Sequence, residues 1–175
     1  PEGISLELRK WSVKGSLTRA EFRFQIPGLE RKLRLRLDFL RGSLPSHETR
    51  LLLVDWLPGK PAVFVPVRTA TGLLADKVVA LGGREIALAR DVFDAWFLLD
   101  RGIPLLWEEL EGEMERYGIT LSPFKRRLKR VRALTEDPEH LRSLNSLLPP
   151  SSRISAEVFE EMVERVLKEV ERVLP

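Results

Sequence analysis

The sequence contains no cysteine and only two histidines, His47 and His140, which are far apart in the chain. Disulfide bonds and thiolate metal sites are therefore excluded, and the histidines lack the spacing of a zinc site. Any bound metal would need oxygen ligands, which Mg²⁺ prefers. The chain also lacks an apolar run of the roughly 18 residues needed to cross a bilayer, and it lacks a leader peptide. These absences predict a soluble cytoplasmic protein that does not contact a membrane.

Charge, in contrast, is abundant. Charged residues make up 31% of the 175 residues, with a net charge of +3 and a pI near 9.5. The hydrophobic content of 43% is enough for one well-buried core, so we expect one domain with a helical extension. The first residue is Pro1 rather than methionine, so we expect the natural polypeptide to start upstream.

Short apolar segments separated by turn sequences occupy the first part of the chain. We predict strands at residues 4–11, 20–26, 33–40, 51–54 and 63–67. The third segment alternates strictly: its leucines and Phe39 share one face, and Arg34, Arg36 and Asp38 share the other. This pattern predicts a half-buried strand with a charged second face.

After residue 67 the apolar residues recur at steps of three and four, which is typical of helices. A first helix is predicted from a cap at Thr69 or Thr71 to about residue 81, ended by Gly82 and Gly83. Further helices are predicted at about residues 86–99, 104–116, 124–134 and from 138 onwards. Beyond a linker at 148–152, Ser155 caps a terminal amphipathic helix. Strands followed by helices predict the α+β class, with a mixed or antiparallel sheet of about five strands and a helical C-terminal half.

Several charged residues fall in the first two predicted helices. Lys77 lies within an otherwise apolar helix, where an unpaired cation is costly to bury. Arg84 follows near the same face, while Asp91 and Asp94 share a face of the next helix. We therefore expect cations and carboxylates of the two helices to meet. With Arg90, this cluster is either a structural ion-pair network or a site whose cations neutralise a polyphosphate.

The segment LLADKVVALGGR, followed by ARDVFDAWFLL, resembles the hallmark of the AbiEii/AbiGii-type nucleotidyltransferase toxins. The upstream segment LRLRLDFLRG resembles the family's strand with an acidic residue, so the resemblance covers about residues 4–102. It implies a minimal nucleotidyltransferase fold that transfers a nucleotide from an NTP with Mg²⁺, in some members to the 3′ end of tRNA. It also implies a toxin of a toxin–antitoxin (abortive infection) system, with a cognate antitoxin as partner.

The resemblance further implies roles for individual residues. The candidate catalytic residues are Asp38, Lys77, Asp91 and Asp94. Asp38 would be a carboxylate of the metal site, and Lys77, with Arg84 and Arg90, would bind the triphosphate. The chain would then divide into a nucleotidyltransferase-like core at residues 1–102 and a helical C-terminal region at residues 103–175.

The sequence departs from the family pattern at one point. The family opens with a Gly-Ser turn followed by an Asp-x-Asp or Asp-x-Glu pair, and neither Gly-Ser dipeptide, at residues 15–16 or 42–43, precedes such a pair. Asp38 alone cannot hold two metal ions. The pair is expected either in an upstream segment or not at all, in a relative without catalytic activity. Without the resemblance, Asp38 is equally well explained by pairing with Arg34 or Arg36.

A strongly basic segment occupies residues 125–132. Its cations are Lys125, Arg126, Arg127, Lys129, Arg130 and Arg132. On one continuous helix they would cover most of the circumference, with Leu128 and Val131 as anchors. The run predicts either a solvated helix face or a contact with an RNA backbone, for which the first five cations are the candidates. No aromatic residue is interleaved, so base stacking is not indicated.

Two functions from different classes are consistent with the sequence. The first is a Mg²⁺-dependent nucleotidyltransferase toxin that acts on an NTP and an acceptor, with tRNA as the expected acceptor. The second is a noncatalytic module that retains the fold and binds RNA or a protein. The terminal helix is either a surface for such a partner or a cover for the core.

Overall fold

The computed structural model describes residues 5–14, 17–25, 28, 30, 32–40, 46–53 and 62–175. The predicted turns at residues 15–16, 26–27, 42–43 and 57–59, and the outer ends of some predicted strands, lie outside these ranges. The chain forms two compact units, residues 1–44 and residues 45–175. Helices from both sides of residue 102 belong to the second unit, and the functional boundary expected there remains a prediction.

The first unit contains an antiparallel three-stranded sheet. Its strands are β1 (Ser5–Lys14), β2 (Leu17–Gln25) and β3 (Leu33–Leu40), in the order β1-β2-β3. The register sets Arg19 of β2 opposite Asp38 of β3 and Ala20 opposite Leu37, so one face is charged and the other apolar. The predicted alternation of β3 is thereby confirmed.

The apolar side chains of β3 are less buried than the sequence predicts. Leu35, Leu37 and Phe39 keep 43%, 38% and 51% of their surface exposed. Ala20 of β2, which the register sets opposite Leu37, is 1% exposed, so burial on this face is uneven. The expectation of a half-buried strand is therefore wrong for these three positions.

The second unit begins with a pair of antiparallel strands and continues with helices. The strands are β4 (His47–Leu53) and β5 (Ala62–Arg68). The α-helices are α1 (Ala70–Gly83), α2 (Ala89–Asp100), α3 (Trp107–Arg116), α4 (Leu121–Leu128), α5 (Pro138–Leu147) and α6 (Ala156–Val173). In the described part of the chain, five antiparallel strands in two sheets are followed by helices, which confirms the α+β class. None of the helices in the described part of the chain is long and apolar enough to cross a membrane.

Helix α1 begins and ends close to the predicted residues. The Thr69 side chain accepts a hydrogen bond from the backbone N–H of Gly72, so Thr69 rather than Thr71 is the N-cap. The helix ends at Gly83. A Cβ on Gly82 would lie 2.4 Å from the ring of Phe124, so the glycine permits the close approach of α4.

The basic segment does not form the single helix that was predicted. Helix α4 ends at Leu128, and the chain continues as a 3₁₀ helix, Lys129–Thr135. Leu128, Val131 and Leu134 are all buried, and their three-residue spacing matches the three residues per turn of a 3₁₀ helix. The cations therefore do not surround one continuous cylinder.

Helix α6 covers the core of the second unit. Its buried residues are Phe159, Met162, Val163, Val166, Leu167 and Val170. They pack in the same cluster as apolar residues of α1, α2 and α4. The apolar face of the terminal helix thus stabilises its own unit, which favours the second of the two interpretations.

Candidate functional site

One face of α1 forms the floor of a cleft in the second unit. The cleft has a volume of about 320 Å³. Its lining residues are Asp76, Lys77, Val79, Ala80, Gly83, Arg84, Asp91, Tyr117 and Ile119. Asp91 belongs to α2, and Tyr117 and Ile119 belong to the segment between α3 and α4. We refer to this cavity as the Lys77 cleft.

Two cations of the cleft are held by carboxylates of α2. The Nζ of Lys77 lies 2.7 Å from an oxygen of Asp94 and 3.9 Å from an oxygen of Asp91. Arg84 donates to the other oxygen of Asp91. A quarter of the Lys77 side chain and nearly half of Arg84 stay exposed, at 25% and 45%. The expected meeting of these cations and carboxylates is confirmed, and the cations remain accessible to a ligand.

Asp91 is the buried centre of this arrangement. Its side chain is only 3% exposed. Burial raises the pKa of Asp91 above its ordinary value, and the charges of Arg84, Lys77 and Arg90 oppose that rise in this order. Arg90 is exposed and does not line the cleft, so it acts on Asp91 through its charge alone. The carboxylate orients two cations, one within α1 and one at the residue directly after its end.

A charge network centred on the buried Glu113 adjoins the cleft. Glu113 is fully buried and accepts hydrogen bonds from Arg68 and, at 3.3 Å, from Arg116. Arg68 also lies 3.3 Å from Asp76, whose Oδ1 accepts a hydrogen bond of 3.0 Å from the hydroxyl of Tyr117. Sequence reasoning did not identify these residues. The available signal was an acidic residue, Glu113, at an apolar position of an amphipathic helix.

Asp38 lies in the first unit and is paired with arginines. Its two oxygens accept hydrogen bonds of 2.7 and 3.0 Å from Arg19, and Arg36 lies 3.7 Å away. Hydrogen bonding from Arg19 lowers the pKa of Asp38 below its ordinary value. Of the two expected partners, Arg36 is found, whereas Arg34 lies opposite Arg23. The main partner, Arg19, is the neighbour across the sheet, which only the register identifies.

The candidate carboxylates have cationic partners rather than a metal-binding arrangement within the described residues. Among the residues whose structure is described, no three acidic or histidine side chains lie close enough to hold a cation. Asp38, Asp91 and Asp94 each have a cationic side chain within 4 Å instead. The residues described here therefore do not fit Mg²⁺ by themselves.

The structure separates the cations of the basic segment into different groups. Arg132 is bound by both oxygens of Glu164 at 2.7 and 3.0 Å. Arg127 donates to the carbonyl oxygen of Gly83 at 2.7 Å, and Lys125 donates to that of Pro175. The candidates Arg126, Lys129 and Arg130 are exposed. Part of the segment is thus engaged within the fold, and part is free for a ligand.

Two solved structures from Helicobacter pylori are similar to the chain. The protein JHP933 is 16% identical, with a TM-score of 0.48, and the match covers 98% of this chain and 68% of JHP933. An H. pylori protein named as a candidate nucleotidyltransferase is 18% identical, with a TM-score of 0.47, over 99% of this chain and 71% of that protein. No curated protein matches the sequence.

A family comparison gives a match over nearly the whole sequence. The family is described as the nucleotidyl transferase AbiEii toxin of type IV toxin–antitoxin systems, and it matches residues 2–172. The match includes the Lys77 cleft, the charged face of the first sheet and the helices that follow. The chain therefore belongs to the AbiEii family of nucleotidyl transferase toxins.

Proposed function

We propose that the Lys77 cleft binds the triphosphate of an NTP, from which the protein transfers a nucleotide to a tRNA acceptor. The observation that carries the proposal is the convergence of two accessible cations, Lys77 and Arg84, on one buried carboxylate at the edge of a cavity. Membership of the nucleotidyl transferase toxin family supports the reaction class. It also implies a cognate antitoxin, which we propose as the physiological partner.

The charges of the cleft suit phosphate. Phosphoryl-transfer sites work mainly by positioning the substrate and stabilising its charge. Lys77 carries three N–H donors, of which its contacts with Asp91 and Asp94 use at most two. The guanidinium of Arg84 offers further donors beside it. Asp91 thus holds both cations in place before a ligand arrives, which lowers the ordering cost of binding.

Other residues that line the cleft suit a nucleoside. Val79, Ala80 and Ile119 are apolar, and Tyr117 exposes 49% of its surface. The hydrogen bond from its hydroxyl to Asp76 fixes the tyrosine ring. An aromatic ring beside an apolar wall provides a stacking surface for a base or a ribose. We therefore assign the phosphates to Lys77 and Arg84, and the nucleoside to Tyr117 and the apolar lining residues.

The proposal concerns how the NTP is held and oriented. The family pattern implies Mg²⁺ and a pair of carboxylates, and the described residues do not supply that pair. No role in metal binding is assigned to Asp38, because Arg19 and Arg36 contact both of its oxygens.

The test is NTP binding by a Lys77→Gln variant of the natural full-length protein. Loss of a charge-assisted contact of about 1.5–3 kcal/mol is expected to weaken binding by about tenfold or more. Lys168→Gln is the matched control, because Lys168 is exposed on α6 and outside the cleft. Binding is measured by equilibrium dialysis with a labelled NTP, and transfer by incorporation of label into tRNA. Equal binding by the two variants contradicts the proposal.

Two additional variants test which residues of the cleft bind the nucleoside. Tyr117→Leu is expected to weaken NTP binding by less than Lys77→Gln does, and to leave the binding of inorganic triphosphate unchanged. Tyr117→Phe, which keeps the ring, is the control. If Tyr117→Leu weakens the binding of NTP and of triphosphate equally, the assignment of the nucleoside to Tyr117 is wrong.

The noncatalytic alternative is favoured by one observation, the occupation of Asp38 by two arginines. It predicts RNA or protein binding without transfer of a nucleotide. Label incorporation by the full-length protein in the presence of Mg²⁺ and tRNA separates the two functions: incorporation excludes the alternative, and binding without incorporation favours it.

A further inference from the structure

A second, smaller cavity of the same unit shares Arg84 with the Lys77 cleft. Its volume is about 170 Å³. The charged and polar residues that line it are Arg84, Glu85, Arg127, Arg130 and His140. Three guanidinium groups are thus opposed by one carboxylate, and apolar side chains such as Leu81 and Leu134 form the remaining wall. The cavity is suited to an anionic ligand that also has an apolar part.

The fold orients the two arginines of the basic segment toward this cavity. Arg127 lies at the end of α4 and Arg130 in the 3₁₀ helix that follows, three residues later. The bond from Arg127 to the carbonyl oxygen of Gly83 fixes its guanidinium beside the end of α1. In the described part of the chain neither arginine forms an ion pair, whereas Arg132 is paired with Glu164. Most of the donors of Arg127 and Arg130 therefore remain available to a ligand.

We propose that this cavity binds a backbone phosphate of the acceptor, a single strand of RNA. The inference rests on the proposed function, because Arg84 would then contact the NTP in one cavity and lie beside the RNA in the other. Guanidinium groups bind phosphate oxygens in a bidentate manner. An RNA phosphate held by Arg127 and Arg130 would place the strand one side chain away from the bound NTP.

The proposal assigns RNA binding to some cations of the basic segment and not to others, according to the cavity that they line. Lys125, Arg126 and Lys129 line a more open surface depression, which does not include Arg127 or Arg130. The two groups, of three and two cations, lie within the same eight residues. The proposal therefore predicts that cations of the second cavity contribute to RNA binding and that those of the open surface contribute little.

The experiment compares Arg130→Gln with Arg126→Gln in the full chain. Binding of a short fluorescein-labelled single-stranded RNA is measured by anisotropy at several salt concentrations. For Arg130→Gln we expect weaker RNA binding. The slope of log K against log salt concentration should also be smaller in magnitude by about 0.7, which is the contribution of one phosphate contact in a single strand. Arg126→Gln should leave the slope unchanged. Equal changes in the two variants, or no RNA binding by the unmodified protein, would overturn the proposal.

Two additional measurements separate this inference from the proposed function. Arg130→Lys keeps the charge and should restore most of the salt dependence of RNA binding. Thermal unfolding shows whether the glutamine variants are folded. NTP binding is measured on the same proteins. Arg130→Gln should retain NTP binding, whereas Lys77→Gln should lose it and retain RNA binding. If the unmodified protein fails to bind NTP but Arg130→Gln still loses a phosphate contact, the proposed function fails and the RNA site stands.

Discussion

The charged face of the first sheet and the Lys77 cleft contain similar residues but differ in physical character. Each combines an aspartate with two cations within 4 Å: Asp38 with Arg19 and Arg36, and Asp91 with Lys77 and Arg84. The Asp38 side chain is 37% exposed, whereas that of Asp91 is 3% exposed. Hydrogen bonding lowers the pKa of Asp38, and burial raises that of Asp91. Removal from water, and not composition, distinguishes the cleft from a surface ion pair.

The largest effect is expected at the charge network centred on the buried Glu113. Arg68→Met would leave the fully buried Glu113 with only Arg116 as a cationic partner, and we expect a loss of about 3–5 kcal/mol in the free energy of unfolding. Arg172→Met, which removes an exposed pair with Glu169, should cost less than about 1 kcal/mol. Urea unfolding followed by circular dichroism measures both. A similar loss in the two variants would mean that burial does not determine how much these ion pairs contribute to stability.

A smaller effect is expected when corresponding arginines are removed from the two clusters. Arg84→Met would leave Asp91 buried with only the more distant Lys77, at a cost of about 2 kcal/mol for a poorly satisfied charged group. Arg19→Met would leave Asp38 in water and beside Arg36, so a clearly smaller loss is expected. The midpoints of urea unfolding give the comparison. A larger loss in Arg19→Met would reverse the proposed distinction between the two regions.

The smallest effect concerns the pH dependence of the free energy of unfolding, to which the two aspartates should contribute with opposite signs. The raised pKa of Asp91 means that its contribution to stability is present below about pH 3.9, the ordinary aspartate value, and is lost as the pH rises through the raised pKa. The lowered pKa of Asp38 gives a contribution that is present above that value and is lost as the pH falls through the lowered pKa.

Asparagine variants measure these contributions. The loss of unfolding free energy in Asp38→Asn should grow as the pH is raised from acid to neutral. The loss in Asp91→Asn should shrink over the same range, because burial of the charged form is unfavourable. Urea unfolding at several pH values gives both curves, and curves of the same sign would show that burial does not dominate at Asp91.

Local features of the structure were predictable from the sequence. The alternation of β3, the Thr69 cap and the end of α1 at its glycines all follow from interactions between residues close in the chain. The meeting of Lys77 with Asp91 was expected because a cation within an apolar helix needs a partner. The functional roles of these residues remain predictions.

Other features depended on contacts between distant segments. The basic segment was predicted as one helix, but the burial of Leu128, Val131 and Leu134 at three-residue steps changes it to a 3₁₀ helix after Leu128. The link from Arg68 to Glu113 joins residues 45 positions apart, which spacing along the chain cannot reveal. Arg127 and Arg130 likewise line the second cavity because distant segments of the chain meet there.

By itself, the sequence determined the class of the fold, the order of its elements and the residue types available for chemistry, because periodicity, capping and motifs are local properties. Only the tertiary structure decided which charges are buried, which are paired and which remain accessible to a ligand. Asp38 and Asp91 demonstrate the reason: the free energy of an ion pair depends on how much water surrounds it, and that is set by segments distant in the chain.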